Sequence, residues 1–234
     1  NPLNSTKLIS MDFYLNEMIE LYNLKKFPKV LLLNGNKGIG KFTLVIHFLN
    51  YIFTQTESKP YDLKKKKINS ESIFYNQLLN QTNQDVLIIK AEENKNIKIE
   101  DVRNLKSILS RSNLSENPRF IIIDEVEFFN DNSVNALLKS LEEPTVNNFF
   151  ILINNKQANL IKTLSSRCLP SNIFLSSNDA QTVIDLFLDN NNIEKLINKN
   201  INLSPGLFLK FNDIYLKYSL IENDPILTKI YKLL

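Results

Sequence analysis

The chain has 234 residues, 43% of them hydrophobic, and 28 basic against 25 acidic residues give a net charge of +3. This suits one medium domain plus a small one, and the near-neutral balance excludes a polyelectrolyte. A single cysteine, Cys168, excludes an internal disulfide and a cysteine-based zinc site, and no apolar run approaches the roughly 18 residues of a membrane span. The lone cysteine fits a reducing compartment and the start is not a signal peptide, so the expected setting is the cytoplasm, without a membrane partner.

Five short apolar runs, at 29–34, 86–90, 119–124, 149–154 and 172–175, have the composition of strands buried on both faces. Helical spacing fills the gaps: Leu44, Phe48 and Ile52 in 41–53, then Val102, Leu105, Ile108 and Leu109, then Val134, Leu137, Leu138 and Leu141 in 132–143. Strands alternating with helices predict an α/β domain with a parallel sheet and right-handed crossovers. Residues 57–70, with Lys64 to Lys67, interrupt the pattern and read as an exposed insertion, a solvated loop rather than a DNA contact. After Leu175 the pattern turns helical, at 180–188, 193–197, 205–216 and 225–234, with Ser176 to Asp179 as hinge and cap. The expected division is an α/β domain over 1–175 and a small all-helical domain over 176–234.

Three of the four glycines fall within Gly35-Asn36-Lys37-Gly38-Ile39-Gly40-Lys41-Phe42, directly after the first strand. Strand, glycine-rich turn, lysine and helix make a phosphate-binding loop: backbone N–H groups and a helix N-terminus attract phosphate oxygens, and the lysine adds charge. The residue after the lysine should carry a hydroxyl for Mg²⁺, and here it is Phe42. Thr43 is no substitute, since one step along a helix turns a side chain by about 100°. The second motif is Phe120-Ile121-Ile122-Ile123-Asp124-Glu125, an apolar strand ending in two acids. Its first carboxylate would hold Mg²⁺ and its second would polarise water, whereas two solvated acids are the plainer reading. The third is Ser165-Ser166-Arg167-Cys168, after the fourth strand.

These motifs, with the run from Asn135 to Pro144 that ends Leu-Glu-Glu-Pro, make residues 1–210 resemble the clamp-loader branch of the AAA+ family, in its bacterial DNA polymerase III form. The resemblance implies a P-loop AAA+ domain with a five-stranded parallel sheet, followed by a helical lid. It places Gly35, Gly38, Gly40, Lys41, Asp124, Glu125 and Asn155 at a nucleotide, with Asn154 or Asn155 as the polar sensor after its strand; an exposed loop asparagine is the alternative. It makes Arg167 an arginine finger for the ATP site of a neighbouring subunit; a planar, permanent cation suits the charge on a transferred phosphoryl group, and a surface arginine in an ion pair is the alternative. Cys168 reads as a small apolar residue. Implied partners are the other clamp-loader subunits, of gamma/tau and delta type, and through them the sliding clamp and primer-template DNA. The chain would be a component of a DNA-directed DNA polymerase.

Departures matter equally. Ser204-Pro205-Gly206 resembles a lid segment that often continues with arginine, and this chain has Leu207. Residues 53–85 contain no cysteine, so the four-cysteine zinc module of many relatives is not expected. With Phe42 and Leu207, ATP or ADP with Mg²⁺ would bind weakly and hydrolysis would be poor; an active motor subunit of gamma/tau type is the alternative. Proteins of this kind continue into a C-terminal helical collar, which is not expected within residues 1–234, and the chain by itself is expected to be monomeric. His47 has no catalytic partner pattern and reads as surface-exposed or partly buried. Glu142 and Glu143 end a helix where the macrodipole opposes acids by ~0.3–1 kcal/mol each, which hints at a contact with a neighbouring subunit; solvated acids offset by Lys139 are the alternative.

Overall fold

In the computed structural model, residues 2–91, 99–109, 117–191, 195, 203–220 and 225 are described. The chain divides into two compact units, residues 1–36 with 41–173, and residues 37–40 with 174–234. The helices expected at 193–197 and 225–234 fall almost wholly outside the described residues.

The first unit is built on five parallel strands: β1 (Val30–Asn34), β2 (Val86–Lys90), β3 (Arg119–Asp124), β4 (Asn148–Asn154) and β5 (Leu169–Asn172). Their order across the sheet is β2-β3-β4-β1-β5. β3 is buried along its whole length, which is why it reads as a continuous apolar run. Alternate side chains serve opposite faces. Ile121 and Ile123 join Leu32 and Leu152 in a core covered by Val102 and Leu105 of α4 (Ile99–Leu109) and by Val134, Leu137 and Leu141 of α5 (Asp131–Glu142). Phe120 instead enters an aromatic cluster: it stacks on Phe149 at 5.2 Å between centroids, while Phe27 stacks on Phe48 at 4.9 Å. Tyr22 of α1 (Asp12–Asn23) sits edge-on to Phe48, a residue of α2 (Lys41–Phe53). Helix starts follow the expected chemistry. Asn130 Oδ1 accepts from Ser133 N at 2.8 Å to open α5, and Ser72 Oγ accepts from Tyr75 N at 3.1 Å to open α3 (Ile73–Leu79).

Three expectations change. The fifth strand, placed on the apolar run 172–175, instead covers Leu169–Asn172, with Leu169 paired to Leu31 and Asn172 to Asn34. It lies at the sheet edge with mostly exposed side chains, so burial leaves no apolar signature, and an edge tolerates Pro170. The insertion at 57–70 is not simply exposed, because Tyr61 and Ile68 are buried. Its anchor is His47, expected near the surface but fully buried. Nε2 lies 3.0 Å from the carbonyl of Ser5, which can only accept, so Nε2 carries the proton. Nδ1 therefore accepts from the Tyr61 hydroxyl at 2.9 Å. Tyr61 N in turn donates to Thr54 Oγ1 at 2.8 Å.

The second unit holds α7 (Ser177–Asn191) and α8 (Pro205–Lys217). Ile184 and Leu188 of α7 meet Phe208 of α8, with Leu203, Leu209 and Tyr215 around them. Pro205 opens α8 at a position where its missing N–H is no loss. Among the described residues no helix is long and apolar enough to cross a membrane.

Burial lowers the His47 pKa from 6.5 to about 4, against a smaller opposing effect of the Ser5 carbonyl. The unfolded chain then binds the extra proton first. The stability that neutral His47 contributes is whole above about pH 6.5 and drains away down to about pH 4, by about 3 kcal/mol. Because His47 is the one histidine of the chain, an NMR titration reads it directly. The imidazole should stay neutral down to about pH 5, and urea unfolding should weaken over the same window.

Candidate functional site

The glycine-rich loop leaves β1 at Gly35, whose N–H donates to the carbonyl of Asn154 at 3.2 Å. Gly38 and Gly40 adopt φ values of +81° and +103°, open to glycine at little cost. Lys41 begins α2 and is buried. Its Nζ donates to the carbonyls of Gly35 at 2.7 Å and Asn36 at 2.8 Å. Burial pushes its pKa down to about 8, with the charges of Asp124 and Glu127 pulling upward and Lys156 downward. The loop tip, Lys37–Gly40, belongs with the C-terminal helices. Gly206, in the first turn of α8, donates its N–H to the carbonyl of Gly38 at 2.8 Å, and Ser204 Oγ donates to the carbonyl of Lys37 at 2.5 Å. The backbones meet so closely that a Cβ on Gly206 would stand 2.8 Å from Gly38 Cα. One on Gly38 would stand 2.6 Å from Ser204 Oγ and 2.9 Å from Leu207 N. Gly206 thus fits the loop backbone because it has no side chain.

Asp124 ends β3 and is buried. Its Oδ1 accepts from Glu125 N at 2.9 Å and from Asn155 Nδ2 at 3.3 Å; Lys90 Nζ lies 3.7 Å from Oδ2. Burial raises the Asp124 pKa above the usual carboxylate value, opposed chiefly by Lys90. Glu125 is buried and holds a left-handed backbone, φ 59°. The two asparagines after β4 separate in role. Asn154 Nδ2 donates to Asn34 Oδ1 at 2.9 Å, joining β4 to β1, whereas Asn155 turns to the acid. A further acid, Glu127, escaped the sequence reading. It is buried, and its carboxylate accepts from Asn155 N at 3.1 Å to each oxygen and from Gln157 N at 3.4 Å. A third acid in Asp124-Glu125-Val126-Glu127, set in a run that continues Phe128-Phe129, was the available signal.

Lys41, Asp124 and Asn155 therefore gather at the carboxyl ends of β1, β3 and β4, where ligands of parallel sheets bind. Arg167 bonds a different set. It follows α6 (Lys162–Ser165) on the loop into β5. Its Nε donates to Glu142 Oε1 at 2.6 Å, Nη2 pairs with the same oxygen, and Nη1 donates to the Thr163 carbonyl at 2.6 Å and Ser166 Oγ at 3.4 Å. The side chain is 29% exposed, so it is not a core residue. Cys168 donates its thiol to the Leu164 carbonyl at 3.1 Å, and burial pushes its pKa up to about 11, against reactivity as a thiolate.

Comparison with known proteins agrees with this architecture. The family described as DNA polymerase III, delta subunit, matches residues 12–175. The delta' subunit of DNA polymerase III from Pseudomonas aeruginosa is 30% identical over 139 residues, 59% of this chain and 40% of that protein. The delta' subunit from Buchnera aphidicola subsp. Baizongia pistaciae is 24% identical over 200 residues, 82% of this chain and 54% of that one. The chain thus spans about half the length of the curated relatives it matches. Among solved structures, the RuvB Holliday junction branch migration motor of Thermotoga maritima superposes with a TM-score of 0.53 at 14% identity, over 100% of this chain and 72% of that one. A DNA polymerase III gamma subunit-related protein from the same organism gives 0.50 at 16% identity, over 88% of this chain and 73% of that one. These likenesses show the AAA+ fold. With its sheet order, its glycine-rich loop and a family match over most of its length, the chain belongs to the DNA polymerase III delta-subunit family of clamp-loader proteins.

Proposed function

We propose that the chain is a delta-prime-type subunit of a DNA polymerase III clamp loader, working in DNA replication without turning over ATP itself. On this reading residues 1–175 form a nucleotide-binding-like domain and 176–234 a lid. Arg167 is offered to the ATP of a neighbouring gamma/tau-type subunit. The observation that carries the reading is the placement of Arg167: a surface guanidinium before an edge strand, held by one exposed carboxylate and a backbone carbonyl. A guanidinium so placed can exchange its partner for phosphate oxygens, whose planar recognition it suits. Delta-type and motor subunits, the sliding clamp and primed DNA are the partners this role requires.

The glycine loop supports a non-hydrolysing role. A hard cation such as Mg²⁺ needs several oxygen ligands. Here Phe42 replaces the hydroxyl, and Asp124 Oδ1 already accepts two N–H groups. The donor set fits Mg²⁺ poorly, so no step is routed through it. Lys41 already directs two of its three donors to the carbonyls of Gly35 and Asn36, so a phosphate would have to displace them or take the third. Electrostatic stabilisation dominates phosphoryl transfer, and these contributions are the ones weakened.

Isothermal titration of the subunit with ATP or ADP should give weak heats that Mg²⁺ does not strengthen. Steady hydrolysis by the subunit alone, abolished by Lys41→Ala, would establish the motor reading instead. In the reconstituted complex, Arg167→Ala should leave assembly intact and slow turnover at the adjoining site by about 10²-fold or more. Unchanged turnover in that complex removes the arginine-finger assignment.

A further inference from the structure

Glu142 is the last residue of α5. An acid there faces the negative end of the helix macrodipole, an unfavourable place for a carboxylate. The structure shows what offsets it: two nitrogens of Arg167, twenty-five residues away, converge on Oε1. Of the five N–H donors of the guanidinium, Nη1 directs its own to the Thr163 carbonyl and Ser166 Oγ. The cation is thus oriented from both sides, by a charge on α5 and by the backbone of α6.

We propose that Glu142 is the resting counter-ion of Arg167, orienting the guanidinium in the unengaged subunit and surrendering it to the phosphates of a neighbour's nucleotide. This rests on the arginine-finger reading and gives that site a regulating group of its own. The pair has the strength such an exchange needs. Its side chains are 29% and 46% exposed, so water and salt screen it, and a surface ion pair of this kind contributes little net stability. Phosphate oxygens carry more charge and accept the same planar fork. The Thr163 carbonyl stays behind as an uncharged guide when the carboxylate is lost. Glu142 is a positioning residue, since it acts through Arg167 and touches no reacting atom.

Every engagement of the finger must first break this pair, so removing its charge lowers a barrier. With the full-length subunit in the reconstituted clamp-loader complex, Glu142→Gln should raise kcat for ATP by about two- to fivefold and leave KM unchanged. Glu142→Ala should act in the same direction. The double variant Glu142→Gln/Arg167→Ala should be as slow as Arg167→Ala alone, because the acid has no effect without the cation it holds. A purely structural role for Glu142 predicts lower turnover and lower thermal stability instead. If both Glu142 variants assemble and turn over ATP at or below the wild-type rate while Arg167→Ala is slow, the counter-ion assignment is wrong and the finger stands. If Arg167→Ala itself changes nothing, both fall together.

Discussion

The carboxyl ends of β3 and β4 are bound to each other by two buried acids, and the rest of the site depends on that tie. A parallel sheet delivers all its strand ends to one side, where the loops that follow must find partners for their backbone groups. Glu127 answers for the β4 loop by accepting the N–H groups of Asn155 and Gln157. Asp124 accepts the Asn155 side chain. Asn154, thereby fixed, bonds Asn34 through its side chain and accepts the N–H of Gly35 through its carbonyl. The point at which the glycine-rich loop departs from the sheet is set by acids nearly a hundred residues further along the chain.

Charge follows the same logic. Lys41 is buried, and its bonds run to carbonyls rather than to a carboxylate. A buried cation is tolerated when acids lie near enough to favour it, and Asp124 and Glu127 supply that field without touching it. The buried cation and the acids that favour it stand beside Phe42, which carries no hydroxyl. At Arg167 the balance differs: the cation lies at the surface, where its partner can be exchanged.

Much of this was legible in the sequence, for identifiable reasons. β1, β3 and β4 are buried on both faces, so each appears as an unbroken apolar run. α2, α4, α5, α7 and α8 carry helical spacing, and the glycine loop and the acids after β3 announce themselves by residue type. β5 was displaced by three residues because an exposed edge strand has no apolar pattern to find. α1 and α3 went unassigned, although Leu15, Met18 and Ile19 give α1 a buried face. Long-range pairings were out of reach. Nothing local indicates that Glu142 meets Arg167, that His47 holds both Ser5 and Tyr61, or that Gly206 is required by the backbone of Gly38. Each depends on two segments that only the folded chain brings together.

The edge position of β5 has one more consequence. An outermost strand presents a row of unspent backbone groups to any other strand that drifts alongside, which invites aggregation. Pro170 sits in the middle of this short strand and contributes no N–H to such a row. Directly after the Arg167 loop, the rim of the sheet is thereby a poor template for adding strands, and strand-to-strand association between copies of the chain is discouraged there.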